Sequence, residues 1–289
     1  LLESPALRSD HNAEGAILDI LLILKALILG LVEAASEFLP ISSTGHLIIV
    51  GDFLDFTGPR AETFEIFIQL GAILSVVWIY RKRLRDMILN VDRDANVRRL
   101  FVNLAIAFVP AAVLGLLLHK HITHYLFNPV TVAGALVLGG IAILLIEHYA
   151  RSGRVQAVDQ MTWKDALVVG IAQSLALFPG VSRSGATIMG GMLSGMSRFA
   201  ATEFSFFLAI PTMFAATGYS LYKEWGGLTV ADGPMFAVGF VAAFLGGLTV
   251  VRFLLSYVGQ NSFAPFAYYR IVFGGLLLAY FHYHPWVGK

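Results

Sequence analysis

Two polar clusters interrupt an otherwise apolar chain of 289 residues, and both hold residue types suited to phosphoryl chemistry. The first reads Glu33-Ala-Ala-Ser-Glu37-Phe-Leu-Pro-Ile-Ser42-Ser43-Thr44-Gly45-His46. Glu33 and Glu37 are four residues apart and share one helix face. Two ionised carboxylates there repel each other, and burial adds desolvation, so the pair needs a cation, a shared proton or a basic neighbour. A divalent ion that takes oxygen ligands, Mg²⁺ or Ca²⁺, meets that need. Pro40 stops the helix. Ser42, Ser43 and Thr44 supply hydroxyls and backbone donors, and His46 is a candidate acid or base because its pKa is easily moved across neutrality. The plainer alternative is a solvated Glu pair followed by a capping run. Apolar arms on both sides argue against it, because an intramembrane ionisable group marks function by default.

The second cluster is Pro179-Gly180-Val181-Ser182-Arg183-Ser184-Gly185-Ala186-Thr187. Arg183 stays protonated and offers a planar fork of donors that suits phosphate. Gly180 and Gly185 permit close backbone approach, and a helix starts just after, so the hydroxyls of Ser182, Ser184 and Thr187, the guanidinium and the helix N-terminus form an anion site. A structural Arg183 paired with a carboxylate of the first cluster is the alternative, and the two readings are compatible. Glu65 and Gln69, on one face of their segment, and Gln173 are expected to support the site from behind. Glu203 is expected either there or at the interface. His119, His121 and His124 suit no single helix face and are expected to be interfacial rather than metal ligands. Trp78, Trp225 and Trp286 fit aromatic belts, and Gly134, Gly139 and Gly140 fit close helix packing.

The rest of the chain must hold these clusters in an apolar medium. Its hydrophobic fraction is 57%, its charged fraction 13% and its mean hydropathy +0.74. A soluble domain is about 45–50% apolar and about 25% charged, so a soluble globule, a disordered chain and a nucleic-acid binder are all excluded. Net charge is +1, which leaves no global field for polyanions. Cysteine is absent, which removes disulfides, thiolate metal sites and a thiol nucleophile. An all-α polytopic membrane protein remains.

The apolar segments are 17–32, 45–56, 63–80, 100–118, 130–149, 165–178, 185–196, 203–222, 235–256 and 266–282. Six of these, 63–80, 100–118, 130–149, 203–222, 235–256 and 266–282, meet the length of about 17–25 residues that a span needs. The short segments come in pairs around the two clusters. Irregular backbone at membrane depth must be buried in protein or line a wet cavity, so each pair is expected to be a re-entrant helical hairpin. Ordinary short, tilted helices are the alternative.

The chain also repeats. When residues 26–51 are laid on 166–191 without a gap, eight positions coincide: Ala26/Ala166, Leu27/Leu167, Gly30/Gly170, Phe38/Phe178, Ser42/Ser182, Gly45/Gly185, Ile48/Ile188 and Gly51/Gly191. Phe64/Phe204 and Phe67/Phe207 continue the register. The expected organisation is a flexible leader or cloning remnant at 1–16, repeat 1 at 17–149 (hairpin 17–56 plus three spans) and a cytoplasmic linker at 150–164. Repeat 2 follows at 165–282 (hairpin 165–196 plus three spans), with a tail at 283–289. Three spans is an odd number, so the second copy enters from the opposite side as an inverted-topology repeat, with its special elements near the midplane. Arg81, Lys82, Arg83, Arg85, Arg93, Arg98, Arg99, Arg151, Arg154, Lys164, Arg198 and Arg252 fall on one side. Only Arg8, Arg60, Lys120, Lys223 and Lys289 fall on the other. The basic side is expected to be cytoplasmic, and the site to open to the outer, periplasmic face.

The stretches GLVEAASEFLPISSTGH at 30–46, FEIFIQLGAILSV at 64–76, FPGVSRSGATIMGGMLSGMSRFAATEFSF at 178–206 and PMFAVGF at 234–240 resemble the bacterial undecaprenyl pyrophosphate phosphatase family, associated with bacitracin resistance. The family's ExxxE motif falls on Glu33 and Glu37, and its PGxSRSxxT motif on Pro179–Thr187. Its essential histidine falls on His46, its proposed serine nucleophile on Ser43 and its essential arginine on Arg183. The resemblance implies hydrolysis of undecaprenyl pyrophosphate to the monophosphate and inorganic phosphate with Mg²⁺ or Ca²⁺, in the inner membrane, recycling the lipid carrier of wall synthesis. The implied partners are the polyprenyl lipid and membrane lipid, with no nucleic acid; a homodimer is compatible. Two mechanisms stay open: attack by Ser43 with His46 managing its proton, or attack by a metal-activated water with Ser43 only binding phosphate. A lipid phosphate flippase is the rival function, since inverted repeats with paired hairpins also build transporters.

Overall fold

In a computed structural model, the backbone is described over residues 5–126, 128–149, 153–224 and 232–283, and side chains over 19–118, 128–149, 153–222 and 232–283. The expectations for His119, His121, His124, Trp225 and Trp286, and for the charges Arg8, Lys120, Arg151, Lys223 and Lys289, lie outside the described side chains. Among the described residues the chain forms eleven α-helices and no strand. Six are long and apolar enough to cross a membrane: α3 (Pro59–Ile79), α5 (Ala95–Leu126), α6 (Pro129–Tyr149), α9 (Arg198–Glu224), α10 (Gly233–Val258) and α11 (Ala264–Tyr283). They cover the same six stretches that segment length selects, and the protein is a multi-pass membrane protein.

Two further pairs stand beside them, α1 (Pro5–Phe38) with α2 (Ser43–Phe53), and α7 (Trp163–Ser174) with α8 (Arg183–Leu193). A single 3-10 turn, Leu175–Leu177, extends α7. The first helix is longer than its apolar core at 17–32. Pro5 opens it at a position where the missing N–H is not needed, and no further proline interrupts it before Phe38. Residues 5–16, expected to form a leader, are therefore continuous with it. The short basic helix α4 (Arg81–Asn90) follows α3.

The two pairs share backbone detail in the register of the sequence repeat. Ser42 precedes α2 with φ 74° and Ser182 precedes α8 with φ 77°. The two helices are followed by Asp55 with φ 49° and Gly195 with φ 98°. Leu54 N–H donates to Val50 O and Phe56 N–H to Gly51 O, as Ser194 N–H donates to Gly190 O and Met196 N–H to Gly191 O. Positive φ at a serine costs about 1–3 kcal/mol and persists only where neighbours over-determine it.

Packing crosses between the halves. α1 lies along α10 and α7 along α5, while α3 meets α9 and α10, and α6 meets α11. Equivalent glycines make the first two contacts possible. A methyl at Gly30 would run into the Gly239 carbonyl of α10, and one at Gly170 would sit 2.7 Å from the Ala107 carbonyl oxygen of α5. Gly139 and Gly140 let α11 approach α6 in the same way, whereas nothing lies over Gly134. At the basic end, Arg83 of α4 pairs with Glu203 of α9 at 2.8 Å and with Asp159 at 3.5 Å. Arg198 Nε binds Glu147 Oε1 at 2.9 Å, and the same carboxylate accepts the Phe263 N–H at 2.7 Å. These contacts gather the end of α6 and the starts of α9 and α11 on the side of α4.

Candidate active site

The breaks between α1 and α2 and between α7 and α8 meet at a cavity of about 580 Å³. Its polar end holds Glu37, Ser42, Ser43, Thr44, Gln69, Gln173, Ser182 and Arg183. Its apolar wall comes from Phe108, Ala111, Ala112, Gly115 and Leu116 of α5 and from Met213, Ala215, Ala216 and Tyr219 of α9. Pro110 and Pro211 sit inside those helices beside the wall, and each removes one helix hydrogen bond there.

The chemistry centres on Glu37. Ser43 Oγ donates to Glu37 Oε2 at 2.5 Å, and Arg183 donates to Glu37 Oε1 through Nη2 at 3.1 Å and Nε at 3.4 Å. Both ion-pair partners are largely buried, with side-chain exposures of 12% for Arg183 and 9% for Glu37. Arg183 Nη1 also donates to the Ser205 carbonyl at 3.2 Å. Ser43 and Arg183 are the first residues of α2 and α8 and occupy matched positions of the repeat. One half thus contributes hydroxyl and carboxylate, and the other contributes the cation. The Ser182 hydroxyl accepts the Gly185 N–H at 3.1 Å, whereas Ser42 makes no side-chain cap. The first-turn N–H groups of α2 are therefore available to an anion beside Ser43.

Glu33, one turn before Glu37, is fully buried, and neither carboxylate oxygen has a hydrogen-bond partner among the described residues. Glu37, Glu65 and Arg183 are its electrostatic neighbours. No group of three or more His, Asp or Glu side chains forms a metal cage among the described residues. Two carboxylates nevertheless fit a divalent ion shared with a diphosphate, which is how Mg²⁺ is commonly held. The orphaned oxygens of Glu33 are the observation that favours a cation there, since a buried carboxylate without a partner is costly.

Other expected site residues lie outside the cavity or spend their polar groups on the scaffold. His46 does not line the cavity. At about 100° per residue it sits about 160° around α2 from Thr44, and its ring stacks on Phe273 of α11 at 4.7 Å. Its Nδ1 lies 2.7 Å from the Ser42 carbonyl and so carries the proton, which leaves Nε2 to accept the Tyr269 hydroxyl at 2.6 Å. Ser184 is fully buried and donates to the Leu39 carbonyl at 3.0 Å, tying one break to the other. Thr187 spends its hydroxyl on the Arg183 carbonyl at 2.9 Å and on Ser205 Oγ at 2.6 Å. Gln173 donates to the Ala107 carbonyl at 3.3 Å and accepts from Thr212 at 3.4 Å. Glu65 is an electrostatic neighbour of Glu33, and Glu203 belongs to the basic end with Arg83 and Tyr80. Tyr269 and Arg270 of α11 reach the cluster although neither stands in a motif. The sequence signal for Arg270 is a lone guanidinium in the apolar stretch 266–282.

A family model described as bacitracin resistance protein BacA matches residues 26–276. The chain is 53% identical over 262 residues to undecaprenyl-diphosphatase 1 of Pseudomonas fluorescens (strain Pf0-1), covering 91% of this chain and 95% of that protein. It is 54% identical over 269 residues to an undecaprenyl-diphosphatase of Methylobacillus flagellatus, covering 91% and 100%. It is 56% identical over 262 residues to an undecaprenyl-diphosphatase of Nitrosomonas europaea, covering 90% and 95%.

Proposed function

The chain belongs to the bacitracin resistance protein BacA family, and from that premise we propose that it hydrolyses undecaprenyl diphosphate to undecaprenyl phosphate and inorganic phosphate in the cavity between its two helix breaks. The reaction regenerates the lipid carrier of wall synthesis and confers bacitracin resistance. The observation that carries this reading is the Ser43–Glu37–Arg183 chain: a hydroxyl on a carboxylate at 2.5 Å, with a guanidinium on the same carboxylate at 3.1 Å. Glu37 takes the Ser43 proton as Oγ attacks the terminal phosphorus. Undecaprenyl phosphate leaves, and water hydrolyses the phosphoserine to return Ser43 and release phosphate. Arg183 and the α2 N-terminus hold the phosphoryl oxygens as charge moves onto them. His46 acts from outside the cavity by holding the Ser42 carbonyl and Tyr269. The diphosphate occupies the polar end, and the polyprenyl tail lies along the small side chains of α5 and α9.

Glu33 and Glu37 would hold Mg²⁺ or Ca²⁺, which when bound supplies neutralising charge to the phosphate oxygens. The test is phosphate release from a long-chain polyprenyl diphosphate in detergent micelles, where lipid flipping has no meaning. Release is expected to fall in EDTA and to return with Mg²⁺ or Ca²⁺. Full release in EDTA would remove the metal, and no release from metal-replete protein would favour a flippase.

We further propose two re-entrant hairpins, 17–56 and 165–196, in an inverted-topology repeat, with the site open to the periplasmic face of the inner membrane. The matched turns and matched glycine contacts support the repeat. The cavity wall supports the orientation, because apart from Phe108 it uses the C-terminal halves of α5 and α9, while both helices begin at the basic end. Cysteines introduced at Asn90 and His121 of this cysteine-free chain should label from opposite sides of an oriented vesicle, Asn90 from the cytoplasmic side. Labelling of both from one side would remove a span and with it the inversion.

A further inference from the structure

Among the described residues, Arg270 is the largest fully buried side chain and has no carboxylate partner. A guanidinium in an apolar span is costly unless its donors are all met. Here all five are met by main-chain carbonyls. Nε donates to Leu136 O at 3.2 Å, Nη1 to Pro40 O and Val181 O at 3.0 Å each, and Nη2 to Gly180 O at 3.0 Å and Ala135 O at 3.2 Å. Pro40 belongs to the first helix break, and Gly180 and Val181 belong to the second. One side chain on α11 therefore grips both breaks and anchors them to α6.

Three of the gripped carbonyls, those of Pro40, Gly180 and Val181, lie just upstream of Ser42 and Ser182, the two serines held at positive φ. The residue after each is a member of the site, Ser43 in one half and Arg183 in the other. We propose that Arg270 is a positioning residue that sets the two half-sites against each other, holding Ser43 and Glu37 at working distance from Arg183. This rests on the phosphatase reading above. The carbonyls released by two irregular turns in an apolar interior need donors, and a strained turn needs a neighbour that over-determines it; the guanidinium supplies both. Gly139 belongs to the same device, because a methyl there would overlap Arg270 Nη2.

An ammonium has three donors and no fork, so it cannot grip two turns and α6 together. Arg270→Lys is expected to lower kcat about 10²-fold, the effect of an error of about 1 Å in positioning, with KM changed far less. If Arg270 acts through Arg183, the double variant Arg270→Lys/Arg183→Lys is expected to be little slower than Arg183→Lys alone. Gly139→Ala keeps the Arg270 guanidinium but pushes its fork out of register with the carbonyls, and is expected to lower kcat as well, which keeps the test open should Arg270→Lys not fold. Wild-type kcat in a folded Arg270→Lys, losses that multiply in the double variant, or wild-type kcat in Gly139→Ala would each overturn the proposal. An inactive wild-type protein would instead overturn the phosphatase reading.

Discussion

Glu37→Gln is expected to lower the turnover of undecaprenyl diphosphate by about 10³-fold, within the range of about 10²–10⁴ for a general base. The amide keeps the shape of the side chain and cannot take the Ser43 proton. It also removes the negative charge between Ser43 and Arg183, leaving a largely buried guanidinium without its counter-charge. Phosphate release in detergent, with kcat and KM separated, reads the effect. The loss should fall mainly in kcat, because Glu37 acts on the nucleophile. Ser43→Ala should be comparably slow, and the double variant Glu37→Gln/Ser43→Ala little slower than either single one, since a nucleophile and its base fail as a unit. Turnover of Glu37→Gln within about threefold of wild type would remove Glu37 as the base, as general-base losses start at about 10².

Arg183→Lys is expected to cost about 10²–10³ in kcat, although the charge is kept; that is the scale of losing one preorganised donor to developing negative charge. Arg183 reaches Glu37 through two nitrogens and the Ser205 carbonyl through a third. A lysine ammonium cannot hold these contacts and a phosphate at once. Near-wild-type kinetics would show that Arg183 is only the structural partner of Glu37. Both variants should be checked for retained folding, because breaking a buried pair leaves one charge uncompensated.

Much of this was legible in one dimension. Lipid offers backbone groups no partners, so a span must be a helix of about 20 apolar residues. The six long stretches from 63–80 to 266–282 could therefore be read directly, and α3, α5, α6, α9, α10 and α11 follow them. The pairing Ser42/Ser182 was legible as well, and the two serines carry φ 74° and 77°. The pull between Glu37 and Arg183 followed from charge, because two such groups in apolar surroundings favour each other over isolation.

Which way each side chain faces was not legible. Ser43 and His46 lie one turn apart, yet Ser43 points at Glu37 and His46 at Tyr269 and Phe273. The difference depends on how α2 is rotated against α11, and nothing local encodes that rotation. Ser184 and Thr187 carry the hydroxyls of an anion motif, but close contact with Leu39 and Ser205 commits them to the scaffold. Arg270 is plain in the sequence as a charge in a span, but its role depends on carbonyls of residues 40, 135, 136, 180 and 181 converging on one point. The sequence by itself determined the spans, the internal register and the acidic and basic partners, because these rest on local hydropathy and charge. The tertiary structure alone decided which polar groups face the cavity and which hold the breaks in place, because in an apolar interior every buried donor and acceptor must find a partner, and those partners lie far apart along the chain.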